Sequence, residues 1–388
     1  MSCLEDTINL KHLQDELEFL VNIDSGTYVK AGVNRIAEYF SDKFKSLGWQ
    51  IRWYETDSES FGRSFVCAPR LDDDFDVLVL CHTDTVFPEG EAIERPFSRN
   101  TNRFYGPGVA DMKIGLLFTW YALEELVKQD RLKKNIAVFF NAEHEVSCPN
   151  TGEIIKELAK KSKIAITSEP ARTDGSYVYK KSGIGRYTFT FKGRAAHSGV
   201  NPRDGRDAIE EMAYWVIFLK SLADPEQGIY LNAGMVGGGK SVNAVADHAE
   251  LKLDLRFTRH EDGLEVDRII RSKTATPFNA DIHIELVGGI KRPPLIPVPA
   301  TARLQRVVEE IGHDFGQAIT WVFSGGGSDA SFASAMGIPA LCGLAAVGGG
   351  QHSQDEYIET GDLSIRYNIF REMLYRFSNL DLNADSEN

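Results

Sequence analysis

The first side chains in this sequence that could do chemistry are His82 and Asp84, which follow the apolar run 77–81. Successive side chains of a strand point to opposite faces, so a histidine and an aspartate two residues apart share one face. An imidazole with a carboxylate behind it is the usual arrangement of a metal-bound histidine and the group that orients it. Because such a pair is also a common polar strand end, its meaning depends on the residues downstream.

Four further segments place acidic or imidazole groups after an apolar run or in a glycine-rich loop. They are Gly106-Pro-Gly-Val-Ala-Asp111, Asn141-Ala-Glu143-His144-Glu145, Ser168-Glu169-Pro170 and Gly348-Gly-Gly-Gln-His352. Asp111 precedes a predicted helix, where it could bridge two cations or simply cap the helix. Each segment alone is more often structural. Together, strand-end positions that supply His, Asp, Glu, Glu and His match the ligands of a two-zinc or related co-catalytic site.

These motifs resemble those of the zinc-dependent exopeptidases and deacylases, a family that includes glutamate carboxypeptidase, aminoacylase, acetylornithine deacetylase and succinyl-diaminopimelate desuccinylase. The resemblance spans nearly the whole chain, and the segment Ser324-Gly-Gly-Gly-Ser-Asp329 is most similar to the glutamate carboxypeptidase branch. It implies two zinc ions per chain, with Co²⁺ or Mn²⁺ as substitutes, and Asp84 as the group that orients His82. The implied metal ligands are His82, Asp111 as the bridge, Glu145, Glu169 and His352.

The motif around His144 departs from the family pattern, in which an acidic pair supplies first the general base and then a metal ligand. Aligning the strand that ends at Asn141 without a gap puts His144 at the base position and Glu145 at the ligand position. A rival register makes Glu143 the base and His144 the ligand. A neutral imidazole beside two cations could still accept a proton from water. The chain is therefore expected to be a hydrolase with a histidine base, or else a catalytically impaired metal-binding or ligand-binding homologue.

The resemblance also implies the reaction, which is cleavage of an amide bond in a peptide or N-acyl amino acid with a free carboxylate. His197, Asn243 and Arg256 resemble the family's substrate-binding groups. A guanidinium suits this task because it forms two parallel hydrogen bonds with a carboxylate. The alternative for Arg256 is an ion pair with the nearby Asp254.

Composition and charge narrow the range of functions. A formal net charge of −13 argues against nucleic acid as a partner, since phosphate binding needs a basic face. No apolar stretch reaches the roughly 20 residues of a membrane span, and the first residues lack a signal-peptide pattern, so we expect a cytoplasmic protein that binds no membrane. Five scattered cysteines favour reduced thiols. A thiol hydrolase using Cys148 with His144 stays open, although no third positioning group accompanies that pair.

Apolar strand-like runs alternate with amphipathic helical stretches, which predicts an α/β fold with a mixed, largely parallel sheet flanked by helices. Loops at the carboxyl ends of such strands usually bind the ligand. The predicted helices include 10–21, 34–47, 114–127, 208–222, 264–272 and 301–311, and the predicted strands include 77–81, 136–140, 187–192, 249–257 and 281–287.

A chain of 388 residues exceeds what one core usually supports, so we expect two domains. From residue 185 the alternation becomes that of half-exposed strands, which predicts a small sheet with one solvent-facing or partner-facing side. We therefore assign 1–184 and 291–388 to a catalytic metal-binding domain and 185–290 to an inserted α+β domain. By the resemblance, this insertion is a lid and dimerisation domain, and the protein is a homodimer.

Overall fold

The computed structural model of the chain describes residues 8–55 and 60–382. Its helices are α1 (Leu10–Val21), α2 (Lys30–Ser46), α3 (Glu91–Glu94), α4 (Ile114–Lys128), α5 (Thr151–Lys160), α6 (Ala208–Ser221), α7 (His260–Thr274), α8 (Thr301–Asp314), α9 (Ala330–Ala335) and α10 (Leu363–Ser378). Its strands are β1 (Gln50–Tyr54), β2 (Ser64–Ala68), β3 (Phe75–His82), β4 (Ser98–Arg99), β5 (Arg103–Tyr105), β6 (Ile136–Asn141), β7 (Ser162–Thr167), β8 (Tyr177–Lys181), β9 (Gly183–Lys192), β10 (Tyr230–Gly238), β11 (His248–Phe257), β12 (His283–Arg292), β13 (Trp321–Ser324), β14 (Ala340–Leu341), β15 (Gly348–Gly349) and β16 (Tyr357–Glu359). None of the described helices is long and apolar enough to cross a membrane.

The central sheet has six strands in the order β1-β2-β6-β3-β7-β14. Strands β6, β3, β7 and β14 run parallel, whereas β2 pairs antiparallel with both β1 and β6. Side chains on one face of β3 pack with α1, α2, α4 and α10, and those on the other face pack with α5 and α9. Burial on both faces explains why β3 and β6 read as continuous apolar runs. The predicted mixed, largely parallel sheet flanked by helices is confirmed.

The register of the parallel strands decides where the polar strand ends meet. His82 of β3 pairs with Asn141 of β6, and Leu80 of β3 pairs with Thr167 of β7. The segment that follows β6 and the segment that follows β7 therefore leave the sheet beside His82. The polar side chains that follow β3, β6 and β7 therefore lie together at one edge of the sheet, at the carboxyl ends of these strands.

The chain forms two compact units. The larger one contains the described residues up to Lys180, Leu295–Ser324 and the residues from Ser328 onward, and the smaller one contains Lys181–Pro294 with Gly325–Gly327. Each boundary lies a few residues outside the span 185–290 expected from the sequence. The larger unit also carries the two-stranded sheet β13-β8 and the four-stranded sheet β15-β16-β5-β4.

The smaller unit is an antiparallel sheet in the order β10-β11-β9-β12, with α6 and α7 packed on one face. Alternate side chains of β9 and β11 are buried against Trp215, which matches the predicted half-exposed alternation. Strand β10 was not predicted. Glycines at 234, 237 and 238 interrupt its pattern, and the pairing with β11 shifts by one residue between Ala233 and Met235.

Candidate metal centre

His82 ends β3 with its imidazole almost fully buried and both ring nitrogens in contact with other groups. Its Nδ1 lies 2.9 Å from the main-chain oxygen of Asp84, and its Nε2 lies 3.1 Å from Oδ1 of Asp111. A carbonyl oxygen only accepts, so Nδ1 is the donor of the first contact. Burial alone lowers the pKa of His82, but Asp111 and Asp84 outweigh it and raise that pKa well above its usual range. This ring therefore directs Nε2 toward Asp111, as a metal ligand would.

The carboxylate of Asp84 has a second task besides its contact with His82. It lies 3.5 Å from Nδ1 of His82, farther than the main-chain oxygen of the same residue. Its two oxygens accept hydrogen bonds from the main-chain N–H groups of His144 and Glu145, at 3.1 and 3.0 Å, and from the hydroxyl of Thr27 at 2.7 Å. Asp84 thus fixes the turn after β6 against the end of β3.

Asp111, Glu145 and His352 complete a compact group with His82. Nε2 of His352 lies 3.5 Å from Oδ2 of Asp111 and 3.4 Å from Oε2 of Glu145. Ligand atoms of His82, Asp111 and Glu145 all lie within 4.8 Å of one another. Asp111 reaches this position from a segment whose backbone departs from helical geometry just before α4.

The surroundings of Glu145 indicate whether these residues suit a cation. Burial, followed by repulsion from Asp111, raises the pKa of Glu145 well above its usual range. Its Oε1 is buried and has no hydrogen-bond partner among the residues that the structure describes. A buried carboxylate oxygen without a donor is costly, and a divalent cation would remove both the repulsion and the missing contact. The donor set of imidazoles and carboxylates fits zinc.

Glu169, two residues after β7, lies close to His144. Its Oε2 accepts a hydrogen bond from the thiol of Cys342 at 3.3 Å, and that thiol in turn receives one from Ser328. Its Oε1 is 3.8 Å from Nε2 of His144. A short chain of polar contacts therefore holds the Glu169 carboxylate at the sheet edge.

His144 lies among these groups with its ring parallel to that of His82. The two ring centroids are 4.1 Å apart, and the planes differ by 6°. Nδ1 of His144 contacts Oδ1 of Asp329 at 2.8 Å, and Cys148 donates to the same oxygen at 3.1 Å. His144, Cys148 and Asp329 also offer ligand atoms within 4.8 Å of one another. The Cys148 thiol is buried and donates to a carboxylate, which removes support from its use as a nucleophile.

Glu143, the base in the rival register, points elsewhere. Its carboxylate is fully buried and accepts hydrogen bonds from the main-chain N–H groups of Asn150 and Thr151 and from the side chain of Asn150. Thr151 begins α5, so Glu143 caps that helix, where a negative charge is stabilised. The structure thus groups Glu145 and His144 with the other proposed site residues and assigns Glu143 to the helix.

Glu356, four residues after His352, is a residue whose importance the sequence analysis did not indicate. It is fully buried, and its carboxylate accepts from the main-chain N–H groups of Gly108, Ala110 and Asp111, each at 2.9 Å. Burial, followed by the charge of Asp111, raises the pKa of Glu356 to about 7. Glu356 therefore sets the path of the loop that presents Asp111.

Replacing Glu356 with glutamine should weaken metal binding. The glutamine amide has one accepting oxygen, so one of the three N–H groups loses its acceptor, at a cost of about 1–3 kcal/mol. Loss of a group that orients a ligand typically lowers metal affinity roughly 10–100-fold. Zinc titration of the metal-free protein measures this, with Glu359→Gln as the control, because Glu359 pairs with Arg103 instead. Equal zinc affinities in both variants would contradict the assignment.

The predicted substrate-binding residues all lie in the smaller unit. His197 and Asn243 are exposed on adjacent loops, since Ser198 donates its main-chain N–H to the carbonyl of Asn243 at 3.0 Å. Arg256 on β11 forms two hydrogen bonds with Asp254, at 2.7 and 3.2 Å, and a third with the carbonyl of Gly325. The ion pair considered as the alternative for Arg256 is therefore present. Their role in substrate binding stays a prediction.

Comparison with known proteins supports the family resemblance that the sequence motifs indicate. Residues 78–376 match Peptidase family M20/M25/M40. Carboxypeptidase G2 from Pseudomonas sp. (strain RS-16) is 26% identical over 349 residues, covering 88% of this chain and 84% of that protein. Acetylornithine deacetylase from Proteus mirabilis (strain HI4320) is 25% identical over 321 residues, covering 77% of this chain and 79% of that protein.

Two solved structures share the fold across most of their length. Aminopeptidase PepT from Bacillus cereus ATCC 10987 has a TM-score of 0.74 at 21% identity, covering 95% of this chain and 99% of that chain. The M20 family metallo-carboxypeptidase Sso-CP2 from Sulfolobus solfataricus has a TM-score of 0.75 at 16% identity, with the same coverage of the two chains. The match over residues 78–376, together with the fold and the cluster of ligand side chains, shows that this chain belongs to the M20/M25/M40 family of metallopeptidases.

Proposed function

We propose that this protein is a two-zinc hydrolase that cleaves an amide bond in a peptide or N-acyl amino acid with a free carboxylate. The observation that carries the proposal is the convergence of His82, Asp111, Glu145 and His352 at one sheet edge, with Glu169 beside them. One ion would be held by His82, Asp111 and Glu169, and the other by Asp111, Glu145 and His352. When bound, such ions supply the Lewis acidity that polarises a carbonyl group and lowers the pKa of water.

In this proposal His144 acts first as the general base and then as the general acid. The oxygen of a water molecule bonds to the amide carbon while Nε2 of His144 accepts the proton that the water loses. Nε2 then returns that proton to the departing nitrogen as the carbon–nitrogen bond breaks. The location of Nε2 near Glu169, with the ring parallel to His82, supports this role. His197, Asn243 and Arg256 are proposed to bind the substrate, with Arg256 exchanging Asp254 for the substrate carboxylate.

The test is a hydrolysis screen on the zinc-loaded protein, with N-acyl amino acids and dipeptides as substrates beside analogues whose carboxylate is amidated. We expect two zinc ions per chain by elemental analysis and turnover of the compounds with a free carboxylate only. No more than trace metal after zinc reconstitution would contradict the proposal. Two bound zinc ions with no turnover of any compound would favour the alternative, a binding homologue that has lost its chemistry.

We further propose a homodimer formed through residues 185–290. Strand β10 is the edge of the small sheet, and its Met235 and Val236 are more than half exposed. Unpaired strand edges are prone to pair with another chain. Sedimentation at micromolar concentration measures the assembly state, and a strictly monomeric protein would contradict this proposal.

A further inference from the structure

The carboxylate of Asp329, just before α9, is fixed by three different donors. The side chain is 2% exposed. Its Oδ2 accepts a hydrogen bond from the side-chain amide of Asn141 at 2.8 Å, and its Oδ1 accepts one from the thiol of Cys148 at 3.1 Å. The third partner is Nδ1 of His144, 2.8 Å from Oδ1. With Asn141 and Cys148 holding both oxygens, Asp329 presents a buried acceptor to His144 in a set orientation.

This contact determines which nitrogen of His144 carries the proton. An ionised carboxylate only accepts, so Nδ1 is the donor and the lone pair of the neutral ring lies on Nε2. Nε2 is the atom that faces Glu169, and stacking on His82 fixes the plane of the ring. In this tautomer Nε2 is the ring nitrogen that can accept a proton from water. A glutamate base would need neither effect.

We infer that Asp329 is a positioning residue and that Asp329 and His144 act together as the proton-transferring unit in place of a single carboxylate. The inference rests on the proposed function of His144 as the base. Water gives its proton to Nε2 and its oxygen to the amide carbon, and the same proton then passes to the leaving nitrogen. Asp329 keeps its hydrogen bond with Nδ1 throughout and exchanges no proton. Its contribution is the tautomer and the orientation of the ring.

A double-mutant cycle separates this role from a structural one. The four zinc-loaded proteins are the wild type, Asp329→Asn, His144→Glu and the double variant. In the wild-type background we expect Asp329→Asn to lower kcat roughly 100-fold, within the range of general acid–base effects, with KM and zinc content unchanged. In the His144→Glu background no imidazole depends on Asp329, so the same change should alter kcat by less than about threefold. Equal losses in the two backgrounds would overturn the inference.

A measurement without turnover keeps the inference testable if the proposed hydrolysis fails. Imidazole ¹⁵N chemical shifts of the zinc-loaded protein, assigned with His144→Gln, report the tautomer of His144. We expect a protonated Nδ1 and an unprotonated Nε2 in the wild type, and loss of this preference in Asp329→Asn. An unchanged tautomer would overturn the inference. So would a third zinc ion that Cys148→Ala removes, because a cation on Nδ1 would replace the hydrogen bond with Asp329.

Discussion

Replacing Asp111 with alanine should remove both cations and all measurable turnover. The two oxygens of Asp111 face different partners, Oδ1 toward His82 and Oδ2 toward His352, so one carboxylate serves both proposed metal positions. Loss of a bridging ligand weakens both positions, whereas loss of a terminal ligand weakens one. Zinc content per chain, measured by elemental analysis after gel filtration, should fall from two to near zero in Asp111→Ala and to about one in His352→Ala.

Asp355→Ala is the matched control, because Asp355 is an exposed acid on the same loop as His352. This variant should keep both ions and full turnover. Retention of two zinc ions in Asp111→Ala would contradict the bridging role.

Replacing His144 with glutamine should lower kcat by roughly 10²–10⁴-fold and leave zinc content unchanged, since general acid–base catalysis contributes about that factor. A glutamine side chain fills similar space but does not exchange protons with water in the manner of an imidazole. Steady-state kinetics on the best substrate of the screen, combined with elemental analysis of the same samples, measures both quantities.

Glu143→Gln gives the contrasting result. Because Glu143 caps α5, its loss should lower stability by about 0.5–2 kcal/mol while kcat of the folded protein stays close to that of the wild type. The rival register predicts the reverse pattern. There, His144→Gln would strip a cation, and Glu143→Gln would abolish turnover with both ions retained.

The sequence predicts the placement of those side chains that directly follow the ends of strands. The apolar runs before His82 and Asn141 belong to buried parallel strands, and carboxyl ends of neighbouring parallel strands meet at one edge. Local pattern is enough there, because strand burial and strand direction leave little freedom in where the next residues go. The helix after Asp111 was likewise predictable from its apolar content, and it is observed as α4.

The parts that escaped prediction depend on contacts between distant segments. Asp329 meets His144 across 185 residues, and Glu356 meets Asp111 across 245 residues. Local sequence patterns do not indicate contacts between residues so far apart. The partner of each acid could therefore not be predicted. The carboxylate of Asp84 is a further example. It accepts hydrogen bonds from the turn after β6, and these donors are identified only once the pairing of β3 with β6 is known.

Glu356 is far along the chain from the loop that it holds, and this separation in sequence matters while the protein is being translated. While the chain is still emerging from the ribosome, Gly108 to Asp111 are made long before the carboxylate that accepts their N–H groups. His352 arrives at the same late stage. A nascent chain that lacks the last tenth of the sequence contains β3, β6 and β7, but it lacks the carboxylate that holds the loop of Asp111 and one proposed ligand, His352. We therefore expect the proposed metal centre to be complete only when translation is nearly finished, and loss of the C-terminal segment to weaken metal binding.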